Sequence, residues 1–350
     1  MRPKFYAFAA LLVASAIGAA DAPDDIVNQT LSKQHVPGAW LVVIKDGKVV
    51  KRKGYGLANV ELNVKVTPET MMQTGSIGKM FTSEGIMVLV RDGKLKLTDS
   101  LASFFPGAPD WWKPITIRQM LSHTAGIPEY EGEKYTLDLK KEYTEDQMVQ
   151  FVEKMTPDYK PGEKWSYSNT DYMLLGVIIH KLTGKFYADF LAERVFAPAG
   201  MKTIRTLSDT DIIPNRSQGY DDVKGVWHNQ DWVSQSCNST ADGTLFATAD
   251  DFIAWDHALD SYSILPKKYQ DQVWQEQKLN DGKGSTYGFA WVIQTIRGHR
   301  ALWHNGAWQG FVAAYFRFPD QHVSAVLFMN GSNARPEASV VKIAESYFKH

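Results

Sequence analysis

Three short stretches of the sequence carry residue types that could do chemistry. Ser76 and Lys79, in "SIGK", lie three positions apart, a spacing that puts both side chains on one face of a helix. A serine in the first turn of a helix sits among unpaired backbone N–H groups at the positive end of the dipole, where an alkoxide or a developing oxyanion is stabilised. A lysine beside it, desolvated by Met80 and Phe81, could accept the serine's proton or, as a cation, lower the pKa of a nearby base. Tyr167 and Asn169, in "YSN", are two apart and point to the same side of an extended turn, with Ser168 pointing away. A phenol near an ammonium can work as a phenolate base, and an amide can hold a substrate carbonyl and orient the lysine. His304, Gly306 and Ala307, in "HNGA", close a β-rich run. Gly306 lets a substrate approach the backbone, and the N–H of Ala307 could pair with that of Ser76 as an oxyanion hole. Taken singly, each stretch has an ordinary reading: a helix cap and a solvated lysine, a core tyrosine and a capping asparagine, a strand-end histidine and a turn glycine.

Other chemistries fit less well. "GSIGKM" resembles the end of a phosphate-binding loop, but Gln73 stands where the first glycine belongs and Met80 where a Ser or Thr must ligate Mg²⁺. No G-x-S-x-G, H-E-x-x-H or cysteine cluster occurs, so neither a nucleophile elbow nor a zinc site is indicated. Cys237 is the single cysteine, which rules out an intrachain disulfide. His123, in "LSHTAG", reads as structural, bonding last-turn carbonyls at a helix end. The eleven tryptophans are dispersed and read as core and cleft wall rather than as a carbohydrate platform.

The elements that must position these residues follow from periodicity. A helix is expected over 24–34, then a hairpin of strands 39–45 and 48–55 around Asp46-Gly47. β-Rich runs recur at 287–296, 300–304, 310–318 and 323–330, the second and third separated by "NGAWQ". Val340, Ile343, Ala344, Tyr347 and Phe348 form one apolar stripe on a last helix suited to covering a sheet. Helices are expected in the middle over 76–92, 116–124, 144–155, 170–182, 186–195 and 249–260. Segments 126–143 and 200–240 read as ordered loops walling a cleft. Strands at both ends with helices between imply an α+β fold: an antiparallel sheet built from N- and C-terminal strands, flanked by helices, with an inserted mainly helical region. The expected division is 21–66 plus 247–350 for the sheet unit and 67–246 for the helical one.

The 350 residues are 44% hydrophobic with a net charge of −1, which suits a large core and gives no pull toward nucleic acid. Residues 1–20 have the pattern of a secretory leader: Arg2 and Lys4, an apolar run from Phe5 to Ile17, then Gly18, Ala19 and Ala20. Cleavage is expected after Ala20, which implies a periplasmic or secreted protein with no stable membrane insertion afterwards.

S-x-x-K, then Y-x-N, then H-x-G in this order resembles the serine β-lactamase and penicillin-binding-protein-like hydrolases. The class C β-lactamase, esterase and D-aminopeptidase branch is the most similar. Flanking text such as "ITIRQMLSHTAGIP", "PGEKWSYSNTDYMLLGVIIHKLTG" and "DGTLFATADDFIAWDHAL" extends the resemblance over residues 25 to 345. It implies that Ser76 is the acyl-accepting nucleophile and that Lys79 and Tyr167 share general-base and general-acid work. It also implies that Asn169 positions the substrate amide and Lys79, while His304, Gly306 and Ala307 bind substrate and complete the oxyanion hole. No cofactor or metal is implied. The implied activity is an exported serine hydrolase acting through an acyl-enzyme on an ester, amide or β-lactam carbonyl of a small molecule or peptide. His304 stands where many class C β-lactamases carry a lysine that helps hold a substrate carboxylate. That departure leans toward D-amino-acid peptides or carboxylic esters over efficient β-lactam hydrolysis. The alternative is a penicillin-binding or peptidoglycan-sensing protein that acylates or binds without turnover. "ADG" at Ala241–Gly243 reads as a loop variation without catalytic meaning.

Overall fold

A computed structural model describes residues 22–349. The expected leader over 1–20 lies outside them. The first strands are β1 (Gly38–Lys45), β2 (Lys48–Asn59) and the short β3 (Val64–Lys65). The C-terminal part adds β4 (Val292–Ile296), β5 (His299–Trp308), β6 (Phe311–Phe318) and β7 (Val323–Met329). They form one seven-stranded sheet in the order β3-β2-β1-β7-β6-β5-β4, antiparallel at every pairing. Asp46 and Gly47 both adopt left-handed φ, 49° and 70°, giving the tight turn that the Asp-Gly pair predicts. The two ends of the chain meet where β1 pairs with β7, from Ala39 opposite Met329 to Lys45 opposite Val323.

The central strands are apolar at nearly every position because both faces of the sheet are covered. Leu41, Val43, Ala325 and Leu327 pack with Val27 and Leu31 of helix α1 (Ala22–Gln34) and with Val340 and Ile343 of the C-terminal helix Glu337–Glu345. Trp40, Val42, Val326 and Phe328, on the other face, join the larger core that holds the helical region. There Trp40 stacks on Phe328 at 4.2 Å, and Phe81 meets Trp255 edge-on at 4.7 Å. Phe81 belongs to helix α2 (Gly78–Arg91), which is buried from Gly78 to Leu89. A helix enclosed on all sides must be apolar all round, which makes Lys79 and Glu84 on it conspicuous. Helix α3 (Asn169–Thr183) packs beside α2 and ends at Gly184 in the left-handed conformation.

Several sequence expectations are corrected. "NGAWQ" is not a connection: Asn305, Gly306 and Ala307 lie inside β5, paired with Ala314, Ala313 and Val312 of β6. The run 287–296 enters the sheet only at Val292, because Thr286 and Ala290 take left-handed φ and break the strand before it. Helix 116–124 stops at Leu121, and 186–195 turns from α to π at Ala192. Segment 200–240 is not all loop, since Tyr220–Val223 and Val226–Asn229 form a hairpin. Among the described residues no helix is long and apolar enough to cross a membrane.

Candidate active site

Ser76 sits in a 3-10 turn, Gly75–Ile77, that runs directly into α2. Lys79, in the first turn of α2, is fully buried. Its Nζ donates to Ser76 Oγ at 3.1 Å, to Asn169 Oδ1 at 2.7 Å and to the backbone oxygen of Asp242. These three acceptors match the three N–H bonds of an ammonium. The structure therefore brings "SIGK" and "YSN" together. It also brings in the Ala241–Gly243 segment, where Asp242 helps fix Lys79 through its carbonyl.

The third stretch arrives along an open strand edge. The pairing of β4 with β5 ends at Trp303 opposite Val292. From His304 onward the outer edge of β5 has no strand beside it among the described residues, and the Ser76 turn occupies that place. The approach is close: a Cβ added at Gly75 would stand 2.4 Å from the Ala307 nitrogen, and one added at Gly306 would stand 2.1 Å from the Thr74 oxygen and 2.8 Å from the Ser76 nitrogen. The amide nitrogens of Ser76 and Ala307 are thus neighbours at the serine, the arrangement an oxyanion hole needs. Gly306→Ala must push β5 away from this turn. It is expected to lower kcat by about a hundred- to a thousandfold, the effect of losing one such donor, with the thermal unfolding midpoint recorded alongside to separate geometry from folding. An unchanged kcat would show that the two amides do not act together.

Tyr167 is half-buried beneath Lys79, whose Nζ lies 4.9 Å from its ring centre. Its hydroxyl makes no hydrogen bond. Burial raises its pKa, while the nearby Lys79 and Ser76 pull it back down. His304 is also buried, and burial pushes its pKa down to about 4 against a smaller upward pull from the Asn305 carbonyl. Its Nδ1 faces that carbonyl, which can only accept, so Nδ1 carries the proton. Nε2 then accepts from the hydroxyl of Tyr287 at 2.8 Å. Both ring nitrogens are spent inside the protein, and His304 brings no positive charge to the cleft.

The space beside Ser76 is a cleft of about 80 Å³ bordered by Tyr130, Glu131, Asn169, Asp242, Gly243, Ala307 and Trp308, among others. None of its lining residues is Lys or Arg. Larger cavities lie elsewhere; one of about 600 Å³ near Tyr143 and His180 shares Thr240 with the cleft but does not reach Ser76. The Asp242 carboxylate is occupied by the hydroxyls of Tyr130 at 2.8 Å and Thr240 at 2.5 Å. Glu129 accepts the N–H of Asn169 at 2.6 Å. Burial raises the pKa of Glu129, and burial together with the Asp242 charge pushes Glu131 to about 8. Three carboxyl groups therefore lie near one another, two of them, Glu131 and Asp242, on residues that line the cleft. Among the described residues no group of His, Cys, Asp and Glu is arranged to hold a metal ion.

The profile of the Beta-lactamase family matches residues 23–345. The chain belongs to the beta-lactamase family. Penicillin-binding protein 4* of Bacillus subtilis is 28% identical over 333 residues, covering 91% of this chain and 73% of that one. D-aminopeptidase of Brucella canis is 27% identical over 312 residues, covering 87% of this chain but 58% of the longer relative. Among solved structures, the octameric penicillin-binding protein homologue from Pyrococcus abyssi superposes with a TM-score of 0.80 at 27% identity, over 92% of this chain and 75% of its own. D-amino acid amidase from Ochrobactrum anthropi SV3, complexed with D-phenylalanine, matches in fold with a TM-score of 0.80 at 24% identity, over 93% and 98% of the two chains.

For a member of the beta-lactamase family, a serine hydrolase, all seven residues singled out in the sequence gather in one place: Ser76, Lys79, Tyr167, Asn169, His304, Gly306 and Ala307. Tyr287, Asp242, Glu129 and Glu131 were missed. Tyr287 opens the run 287–296, which reads as strand. Glu129 and Glu131 fall in segment 126–143, which reads as walling a cleft but singles out no residue. His123 is buried and structural as expected, but it bonds Asp171 and the Ser168 amide rather than helix carbonyls.

Proposed function

We propose that this protein is an exported serine hydrolase that releases D-amino acids from amides or short peptides through an acyl-enzyme on Ser76. Ser76 attacks the carbonyl and its proton passes to Tyr167 in its phenolate form, which the charge of Lys79 favours against burial, while Lys79 holds the Ser76 hydroxyl and Asn169 in register. The N–H groups of Ser76 and Ala307 receive the oxyanion, a stabilisation of roughly 3–4 kcal/mol per donor. Tyr167 then returns the proton to the departing amine, and water, deprotonated by the same phenolate, cleaves the ester. The carboxyl-lined cleft without a lysine or arginine carries the substrate assignment. A free α-ammonium next to the scissile carbonyl favours the ionised form of Glu131, whereas the carboxylate of a β-lactam or of a C-terminal D-residue finds no lysine or arginine lining the cleft. The D-aminopeptidase relative supports the same class. The expected leader over 1–20 supports export.

Treatment of residues 21–350 with a fluorophosphonate is expected to label Ser76, and Ser76→Ala is expected to abolish turnover of D-alanine amide. Label elsewhere, or undiminished turnover, overturns the proposal; a burst without turnover would instead indicate a binding or sensing protein. Glu131→Gln is expected to raise KM for D-alanine amide by about tenfold or more, the order of a lost hydrogen bond to a charged group, while leaving KM for p-nitrophenyl acetate within about twofold. Glu131 ionises as pH rises through about 8. The substrate's α-ammonium loses its proton at about the same pH, so affinity for the cationic amide is expected to peak close to that value and to fall on either side. The ester, which has no charge, should show no such trend.

A further inference from the structure

The buried hydroxyl of Tyr167 has no partner in good hydrogen-bond geometry, although Lys79 and Ser76 lie close enough to act on it. The residues on either side of it are both tied to His123. The N–H of Ser166 donates to the His123 backbone oxygen at 2.9 Å, and the N–H of Ser168 donates to His123 Nδ1 at 3.3 Å. The His123 ring also lies against the Tyr167 ring, with centres 4.4 Å apart. His123 is fully buried and holds a left-handed φ of 57°, a conformation a bulky residue keeps only where its surroundings over-determine it.

One further contact sets the state of this histidine. Oδ2 of Asp171, in the first turn of α3, lies 3.0 Å from His123 Nδ1. A backbone N–H can only donate, so Nδ1 shares its one lone pair between Ser168 and, at the shorter distance, the carboxyl hydrogen of Asp171, and the ring proton sits on Nε2, which is buried without a partner. Oδ1 of Asp171 is buried without a partner, a placement that an ionised carboxylate tolerates poorly. Burial and the charge of Glu129 raise the Asp171 pKa, against a smaller pull from Lys79, while burial, Lys79 and His304 lower that of His123. Both groups are therefore neutral.

We propose that Asp171, as a carboxylic acid donating to His123, is a positioning residue for Tyr167. The Asp171–His123 pair clamps the backbone on both sides of the tyrosine and so sets where its phenol oxygen stands relative to Ser76 and Lys79. Its kinetic consequence rests on the acyl-enzyme reading above; its protonation state does not.

Acylation of Ser76 by a fluorophosphonate, followed in wild type, Asp171→Asn and Asp171→Leu, tests the clamp. The asparagine amide can still donate to Nδ1, so Asp171→Asn is expected to acylate within about threefold of wild type. Asp171→Leu is expected to acylate about ten- to a hundredfold more slowly, the effect of misplacing a reacting group by an ångström or less. Infrared difference spectra between wild type and Asp171→Asn at pH 7 should contain the C=O band of a protonated carboxyl group. Equal slowing in both variants, wild-type rates in Asp171→Leu, or carboxylate bands alone would overturn the proposal. If Asp171→Leu does not fold, the asparagine variant and its infrared spectrum decide. A wild-type protein that is not labelled at Ser76 would strike the acyl-enzyme reading instead and leave the infrared test standing.

Discussion

Lys79→Met is expected to lower kcat by about a thousand- to ten-thousandfold. Methionine approximates the length and girth of the lysine stem but supplies no donor. Lys79 is the one group that touches Ser76, Asn169 and the Asp242 carbonyl together, and it lies over the ring of Tyr167. Without it the serine oxygen is no longer aimed, and the phenol loses the positive charge that offsets its burial. General acid–base groups contribute about a hundred- to ten-thousandfold, and residues that act as a unit fail together. The double variant Ser76→Ala, Lys79→Met is therefore expected to be no slower than either single one. The substitution also strands buried acceptors, each costing about 1–3 kcal/mol, so stability should fall as well. Burst kinetics with p-nitrophenyl acetate, scaled to the folded fraction, separate the two effects. A loss in kcat of less than about tenfold would mean that the lysine is only structural.

The second large effect is on stability and comes from the same helix. Glu84 is completely buried; Gln270 donates to its Oε1 at 2.8 Å, and its Oε2 has no partner. Burial pushes its pKa up from an ordinary 4.5 to about 8. In the folded protein the carboxyl group thus keeps its proton up to about pH 8, whereas in the unfolded chain it loses it above about 4.5. Between those values the folded state binds the extra proton, so stability falls as pH rises, by about 1.4 kcal/mol per pH unit. The whole window is worth roughly 5 kcal/mol. Glu84→Gln keeps the shape without the titration. Thermal and urea unfolding at pH 5 and pH 8 are expected to show the variant gaining on wild type by several kcal/mol at the higher pH. The comparison must be made between the two proteins, because Glu131 and Asp171 titrate abnormally in both. A difference that does not change with pH would refute a neutral Glu84.

What could be read in the sequence was what local spacing controls. Ser76 and Lys79 are joined by a single helical turn, and Tyr167 and Asn169 by one residue, so their relative directions follow from backbone geometry. Asp46-Gly47 specifies its own turn. Asn305-Gly306 carries an equally strong turn signal, yet it is strand, because its pairing with Ala314 and Ala313 and the pressure of the Ser76 turn decide its conformation. Here tertiary contact overrides local preference. The glycine is needed for that contact, not for a turn. Tyr287, Asp242 and Glu131 were hidden for a different reason. Each reaches the site from an irregular segment remote from Ser76 in the chain, and no periodicity reports where such a segment folds. Asp171 was hidden by its neighbours, since an acidic residue in the first turn of a helix is ordinarily a solvated partner of the dipole.

The place of β1 in the sheet constrains how the molecule comes into being. Its neighbours are β2, joined to it by a two-residue turn, and β7, which ends at Met329. A strand made early is completed by one made much later. During synthesis this apolar strand must wait with one edge unpaired until β7 has emerged. Loops that long close slowly and leave strand edges open to wrong partners meanwhile. C-terminal truncation upstream of Val323 should therefore leave no stable fragment.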